Sequence, residues 1–249
     1  MNPKNLKPNI LVTGGSGDIG RAIVRKFHAS SYNVAVHCFN GSAEAERLAE
    51  ELSEKGGIVK VYRADLRDPE AAELMVKKAS EELGPFEVLV NNAGLGKQKL
   101  ITDTSYEEWR ETFAVNTDAA FICSKAVLPG MIRAKYGRIV NVSSIWGITG
   151  ASCEVDYSAS KAALIGFTKA LAKEVGPSGI NVNCVAPGVI DTKMNSHLTE
   201  DDLKALADEI PLGRLGTPDD IAEAVFFLCS GASSFITGQV ISPNGGFVI

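Results

Sequence analysis

Short apolar runs rich in β-forming residues alternate along this chain with longer segments whose apolar residues recur at helical spacing. The runs Asn9 to Thr13, Asn33 to Cys38, Val59 to Tyr62, Phe86 to Val90, Arg138 to Val142 and Ile180 to Val185 are too short for helices, and their near-continuous apolar character predicts buried strands. Between them, Arg21 to Ser30, Ser42 to Gly56, a segment beginning near Pro69, Thr104 to Ala134, the run after Tyr157 and Arg214 to Ser230 read as helices. The longest carries Phe113, Phe121, Ile122, Ala126, Val127 and Met131 at helical intervals. Strand and helix in alternation imply parallel strands joined by right-handed crossovers, with helices on both faces. The predicted fold class is α/β, a doubly wound parallel sheet that takes its ligand at the carboxyl edge near the switch point.

A chain of 249 residues with 45% apolar content can bury a substantial core as one domain, 1–249. No run of eighteen apolar residues occurs and residues 1–8 lack the apolar segment of a signal peptide, so a cytoplasmic protein that does not span a membrane is expected. A formal charge of −5 argues against a nucleic-acid partner, which needs concentrated positive charge. Cys38, Cys123, Cys153, Cys184 and Cys229 are widely spaced and suit small buried positions, and with His28, His37 and His197 they show no metal-ligand spacing.

Three stretches carry candidate chemistry. Gly14, Ser16, Gly17, Asp18, Ile19 and Gly20 form a glycine turn between a strand and a helix, where backbone N–H groups approach a diphosphate closely; an ordinary tight turn is the alternative. The second strand ends at Cys38, followed by Asn40 and Ser42, with neither the acid that selects NAD nor an Arg beside it. Without a carboxylate to repel a 2′-phosphate, NADP is favoured and NAD is the alternative. Asp65 and Leu66 follow the third strand, where Asp65 either caps the next helix or faces a ligand. Finally, Tyr157 and Lys161 lie four residues apart at the start of a helical run and share one face. An ammonium beside a phenol favours the phenolate and predicts a lowered Tyr157 pKa, whereas a half-buried ring under a solvated amine is the plain alternative. Ser143 and Ser144 end a strand, and Asn116 sits within a helix, where a cap-like role competes with a functional one.

The glycine turn, the run Asn91 to Gly94, Asn116, Ser144, Tyr157 and Lys161 together resemble the short-chain dehydrogenase/reductase family from about Asn9 to Ile249. The resemblance implies a Rossmann-type sheet with a dinucleotide-binding half at about 9–95 and a catalytic half at about 96–249. Asp18 departs from the family pattern, which has a glycine at that position. The family's roles map to Tyr157 as proton donor, Ser144 as orienter of the carbonyl oxygen, and Lys161 as partner of both Tyr157 and the nicotinamide ribose. Asn116 is implied to link Lys161 to solvent through water. Cofactor contacts are implied at Asp65 and Leu66 beside the adenine, and at Asn92, Ala93 and Gly94. Further contacts are implied at Pro187, Gly188, Ile190 and Thr192, around the carboxamide.

The pattern is similar to 3-oxoacyl-acyl carrier protein reductases, which implies NADPH-dependent carbonyl reduction, an acidic carrier protein as partner and a homotetramer or homodimer. Ser144 to Glu154 also resembles the group that reduces the 5-aminopentanone modification on elongation factor P. A catalytically silent dinucleotide-binding protein is the remaining alternative. Arg133, Lys135, Arg138, Lys169 and Lys173 are candidates to meet an acidic carrier, and Lys193 to Leu212, with Met194, His197 and Leu198, reads as an amphipathic lid.

Overall fold

The computed structural model describes residues 7–193 and 199–249. In chain order the elements are β1 (Asn9–Val12), α1 (Asp18–Ala29), β2 (Asn33–Cys38), α2 (Ser42–Glu54), β3 (Val59–Arg63), α3 (Pro69–Leu83) and β4 (Val88–Asn91). They continue with α4 (Tyr106–Phe113), a π-turn at Ala114–Asp118, α5 (Ala119–Ala134), β5 (Gly137–Val142), α6 (Trp146–Thr149) and α7 (Val155–Val175). Then come β6 (Ile180–Val185), α8 (Glu200–Glu209), α9 (Pro218–Cys229) and β7 (Val240–Ile241). The strands pair in the order β3-β2-β1-β4-β5-β6-β7, parallel throughout. The expected Rossmann-type sheet is therefore present, with its switch point between β1 and β4.

Why these runs form strands is visible in β1. Successive side chains point to opposite faces, and Ile10 and Val12 enter the core shared with α1, α2 and α9, while Leu11 enters the core shared with α3, α5 and α7. Both faces are covered, so every residue of β1 and β4 is buried. β7, by contrast, is only two residues long, and Ile241 in it is exposed.

Polar side chains cross the centre of the sheet. Asn91 Nδ2 donates to Asn141 Oδ1 at 2.8 Å and to Ser124 Oγ at 3.2 Å, and Asn141 Nδ2 donates to Thr168 Oγ1 at 2.8 Å. The chain of bonds thus links β4, β5, α5 and α7 at the level where the two central strands end. All four residues are buried, so each bond forms without competition from water.

The strand direction corrects one expectation. Arg138 lies at the amino end of β5, opposite to the edge that presents Ser144, and it is buried with its guanidinium over the Tyr136 ring at 4.6 Å. Arg133 and Lys135 precede it at the close of α5. Lys169 and Lys173 lie farther along α7, which at ~1.5 Å per residue carries Lys173 roughly 24 Å from Tyr157. These residues do not line the site entrance, because nearness in sequence to Ser144 and Tyr157 runs away from it along each element. Of the expected lid, Glu200–Glu209 is helical, while Met194, His197 and Leu198 lie outside the described residues. Cys38, Cys123, Cys184 and Cys229 are buried and Cys153 is partly exposed, all as free thiols. Among the described residues no cluster of His, Cys, Asp and Glu could hold a metal, and no helix is long and apolar enough to cross a membrane.

Asn141 joins two neighbours at once, so Asn141→Ala removes two buried bonds, leaving Asn91 with Ser124 and the Thr168 hydroxyl with the Leu164 carbonyl. A buried hydrogen bond contributes about 0.5–1.5 kcal/mol net, and the urea-unfolding free energy is expected to fall by about 1 kcal/mol or more. A loss below about 0.5 kcal/mol would show that this network does not set the stability there.

Candidate active site

The carboxyl ends of β1, β2, β3, β4, β5 and β6 bring the sequence-predicted site residues to one edge. At β1 the chain turns through Gly14, whose φ is +64°, a conformation that L side chains rarely adopt. A carbon side chain at Gly20 would stand 2.2 Å from the Gly14 carbonyl oxygen, so the turn and the first helical turn of α1 pack backbone to backbone. Gly17 precedes α1 without a side-chain cap, unlike the capped ends of α3, α4, α8 and α9. The first N–H groups of α1 have no intrahelical partner, and together with the glycine approach they fit the diphosphate of a dinucleotide.

Two partners invisible to the linear motif hold this turn. His37 in β2 accepts the Gly14 N–H on Nδ1 at 3.1 Å and donates from Nε2 to the Ala64 carbonyl at 3.1 Å, which fixes one neutral tautomer. Burial pushes its pKa down, in keeping with that neutral ring. Thr13 Oγ1 accepts the N–H groups of Asn92 and Ala93, each at 3.0 Å, while Asn92 Nδ2 donates to the carbonyls of Thr13 and Gly14 at 3.0 and 3.1 Å. The amide of Asn92 is therefore used to lock the loop after β4 onto the glycine turn.

Asp18 has partners within the protein. Its carboxylate pairs with Arg21 and accepts the backbone N–H of Lys193 at 2.7 Å, tying the start of α1 to the chain beyond Thr192. A glycine at this position supplies no such tie. Asp65 likewise has a different role from a helix cap: it accepts the Arg67 N–H at 3.0 Å and pairs with the Arg67 guanidinium at 2.7 Å, which holds its carboxyl below the usual range. The cap of α3 is Asp68, accepting from Glu70 and Ala71. Leu66 is buried beside it.

Tyr157 and Lys161 share the face of α7 that looks onto β5. Lys161 is buried, its Nζ donates to the Val142 carbonyl at 2.9 Å and stands 5.7 Å from the centre of the Tyr157 ring. Ser143 Oγ donates to the Lys161 carbonyl at 2.8 Å, pinning the helix to the end of β5. Glycines complete the fit: a carbon side chain at Gly94 would lie 3.1 Å from Lys161 Nζ, one at Gly96 would lie 2.9 Å from the Tyr157 ring, and one at Gly147 would lie 2.8 Å from the Lys161 backbone. Asn116, in the π-turn, accepts the Leu95 N–H at 2.8 Å and donates to the Leu95 carbonyl and to Ser160 Oγ, both at 2.9 Å. It thereby holds the backbone beside Gly94 and Gly96. The hydroxyl of Ser144 accepts the Trp146 N–H at 3.2 Å and lies beside the Tyr157 phenol.

Electrostatics here differ from the expectation of a lowered phenol. Burial pushes Tyr157 up to about 12, and the Ser144 hydroxyl pulls only part of the way back. Burial also pushes Lys161 down to about 8, so the amine is a weakened cation in the protein alone. Desolvation is the leading cause of both shifts, with Lys161 buried and Tyr157 half-buried.

On the far side, Pro187 and Gly188 are wedged between the start of α6 and the C-terminal turn. The Ile145 N–H donates to the Pro187 carbonyl at 3.0 Å, and a carbon side chain at Gly188 would meet Asn244 Cα at 2.7 Å. Ile190 pairs with Gly216 in an isolated bridge, and Thr192 Oγ1 donates to the Ile190 carbonyl at 3.4 Å.

A family model described as enoyl-(acyl carrier protein) reductase matches residues 15–248, and the chain belongs to the short-chain dehydrogenase/reductase family. It is accordingly an NAD(P)-dependent short-chain oxidoreductase. It is 44% identical over 238 residues to the uncharacterized oxidoreductase YmfI of Bacillus subtilis, covering 95% of this chain and 97% of the relative. It is 42% identical over 240 residues to the 3-oxoacyl-[acyl-carrier-protein] reductase FabG of Aquifex aeolicus, covering 95% of each. The corresponding FabG of Chlamydia muridarum is 41% identical over 247 residues, covering 99% of each.

Lys161 gives this site a pH signature. Its folded value of about 8 lies below the unfolded 10.5, so the unfolded chain binds more protons in that window and stability rises with pH from about 8 to 10.5. Tyr157 works the other way, but only above its ordinary value of 10.0. Comparing urea midpoints of wild type and Lys161→Met at several pH values isolates the effect: the difference is expected to move in favour of the wild type as pH rises from 8 towards 10. A difference that does not change with pH would contradict the buried, depressed amine.

The Asp18 tie is testable by amide exchange. A hydrogen bond to a charged group is worth about 1.5–3 kcal/mol, so Asp18→Gly is expected to speed exchange of the Lys193 amide by roughly tenfold or more, and Asp18→Asn to retain most of the protection. Unchanged exchange in Asp18→Gly would remove the tie.

Proposed function

We propose that this oxidoreductase reduces the 3-oxo group of an acyl thioester carried on acyl carrier protein, with NADPH in preference to NADH. The observation that carries the reaction class is the convergence of Tyr157, Ser144 and Lys161 beside a glycine turn that fits a diphosphate. The substrate class rests on the likeness to the two FabG reductases, whose names give that substrate.

A bound nicotinamide dinucleotide would supply the hydride. The turn from Gly14 to Gly20 would hold its diphosphate, and Pro187, Gly188, Ile190 and Thr192 its nicotinamide end. Asn40, Asp65, Leu66, Ala93 and Gly94 would hold the remainder. Tyr157 donates its phenolic proton to the carbonyl oxygen. Ser144, whose oxygen already accepts the Trp146 N–H, has its own hydroxyl proton to orient that oxygen. Lys161 stabilises the phenolate formed as the proton leaves, an effect that grows as the amine becomes fully charged. Asn116 serves by holding the Leu95 backbone and Ser160, which fixes the loop that carries Gly94 beside Lys161. Assembly into a homodimer or homotetramer is part of the same reading, resting on the likeness to the FabG reductases.

The test is oxidation of NADPH by purified protein with an acetoacetyl thioester, followed by absorbance, together with the variant Tyr157→Phe. General acid help is worth about 10²–10⁴-fold, and the variant is expected to lose turnover by that range while NADPH binding, read by fluorescence titration, is retained. Near-wild-type turnover in Tyr157→Phe would overturn the mechanism. Reduction of aminopentanone-modified elongation factor P with none of thioesters would transfer the substrate assignment to that group.

A further inference from the structure

The end of β2, where a dinucleotide's adenosine ribose is read, has neither an acid nor an Arg in its own sequence: the residues are Cys38, Phe39 and Asn40. The neighbouring strand supplies what β2 lacks. In the parallel register of β2 and β3, Cys38 stands opposite Arg63. The Arg63 Nε donates to the Phe39 carbonyl at 3.2 Å, which anchors the guanidinium on the turn that follows β2. The same turn meets the glycine turn, since a carbon side chain at Gly41 would stand 2.6 Å from Ser16 Oγ.

Two arginines flank this turn, and their charges are used differently. Arg67 lies over the Phe39 ring at 5.4 Å, and its guanidinium is paired with Asp65 and Glu111, both at 2.7 Å. Arg63 is exposed, and among the described residues no carboxylate pairs with it. Its charge nevertheless reaches the end of β2: burial pushes the Cys38 thiol up, Arg63 pulls it down, and Glu46 of α2 opposes Arg63 more weakly. A guanidinium fixed through Nε still presents its two terminal nitrogens, the fork that suits a phosphate.

We infer that Arg63 is the residue that selects the 2′-phosphate of NADP, reaching the ribose from β3 across the end of β2, with Asn40 and Ser16 beside it. The inference rests on the proposed preference for NADPH and names the group that creates it. It differs from a cation placed on β2 itself because the selecting residue and the ribose-facing turn belong to different strands, joined by the Phe39 carbonyl.

NADP⁺ and NAD⁺ differ only by the 2′-phosphate, so direct binding by calorimetry, without substrate, isolates the contact. Wild-type protein is expected to bind NADP⁺ at least about tenfold more tightly, the scale of a charge-assisted hydrogen bond. Arg63→Ala is expected to lose most of that preference while its affinity for NAD⁺ stays within about twofold, a control that also reports an intact fold; the twofold bound is the ordinary scatter of surface substitutions. Arg67→Ala is expected to keep the preference, because its charge is already spent on Asp65 and Glu111. Full preference retained in Arg63→Ala, or lost in Arg67→Ala alone, overturns the inference. Equal binding of the two dinucleotides by the wild type would instead overturn the cofactor preference on which it rests.

Discussion

A buried amine sets the terms for the carboxyl edge of this protein. Lys161 is removed from water, which disfavours its charged form, and the structure around it answers that cost without neutralising the residue. The Val142 carbonyl accepts from it, Ser143 fixes the helix turn that carries it, Gly147 lets the backbone of α6 approach that of Lys161 where a side chain would collide, and Gly94 leaves room for the Lys161 Nζ. Asn116 then holds the Gly94 loop in place through bonds to both the N–H and the carbonyl of Leu95. Moving any of these parts changes the surroundings of the amine and, through it, those of Tyr157.

The second organising contact is the crossing of β1 and β4 at the switch point. Thr13 and Asn92 exchange side-chain and backbone bonds in both directions, so the glycine turn and the loop bearing Gly94 move as one unit. The phosphate-binding turn and the proton-transfer residues are in this way mechanically joined. The Asn91, Asn141 and Thr168 bonds continue the same connection through the sheet to α7.

Much of the architecture was legible in sequence because buried parallel strands leave continuous apolar runs, and because a four-residue spacing on a helix has only one geometric meaning. Tyr157 and Lys161 are on one face as expected. The direction of the Tyr157 shift was not legible, since the balance between a neighbouring cation and lost hydration depends on depth, and depth is not a local property of sequence. Asp18 looked like a charge facing a diphosphate, yet its partners are Arg21 and a residue 175 positions away. The places of His37 and Arg63 are not legible in sequence for the same reason: one bonds the turn of another strand, the other is set by cross-strand register. The basic residues before Ser144 misled because a strand carries sequence neighbours to opposite edges of a sheet.

The π-turn at Ala114–Asp118 has a consequence for how the helix presents Asn116. One additional residue in a single turn offsets α4 from α5 by about 100°, the rotation of one helical residue. α4 meets α7 through Thr112, which donates to Asp156 at 2.6 Å, while α5 packs into the core with Cys123 and Val127. Removing one residue between these anchors would cancel that offset and restore a regular helix with Thr112 and Cys123 still facing their separate partners. The turn therefore takes up its extra residue locally, and what it alters is the presentation of Asn116, whose amide bonds the Leu95 backbone and Ser160.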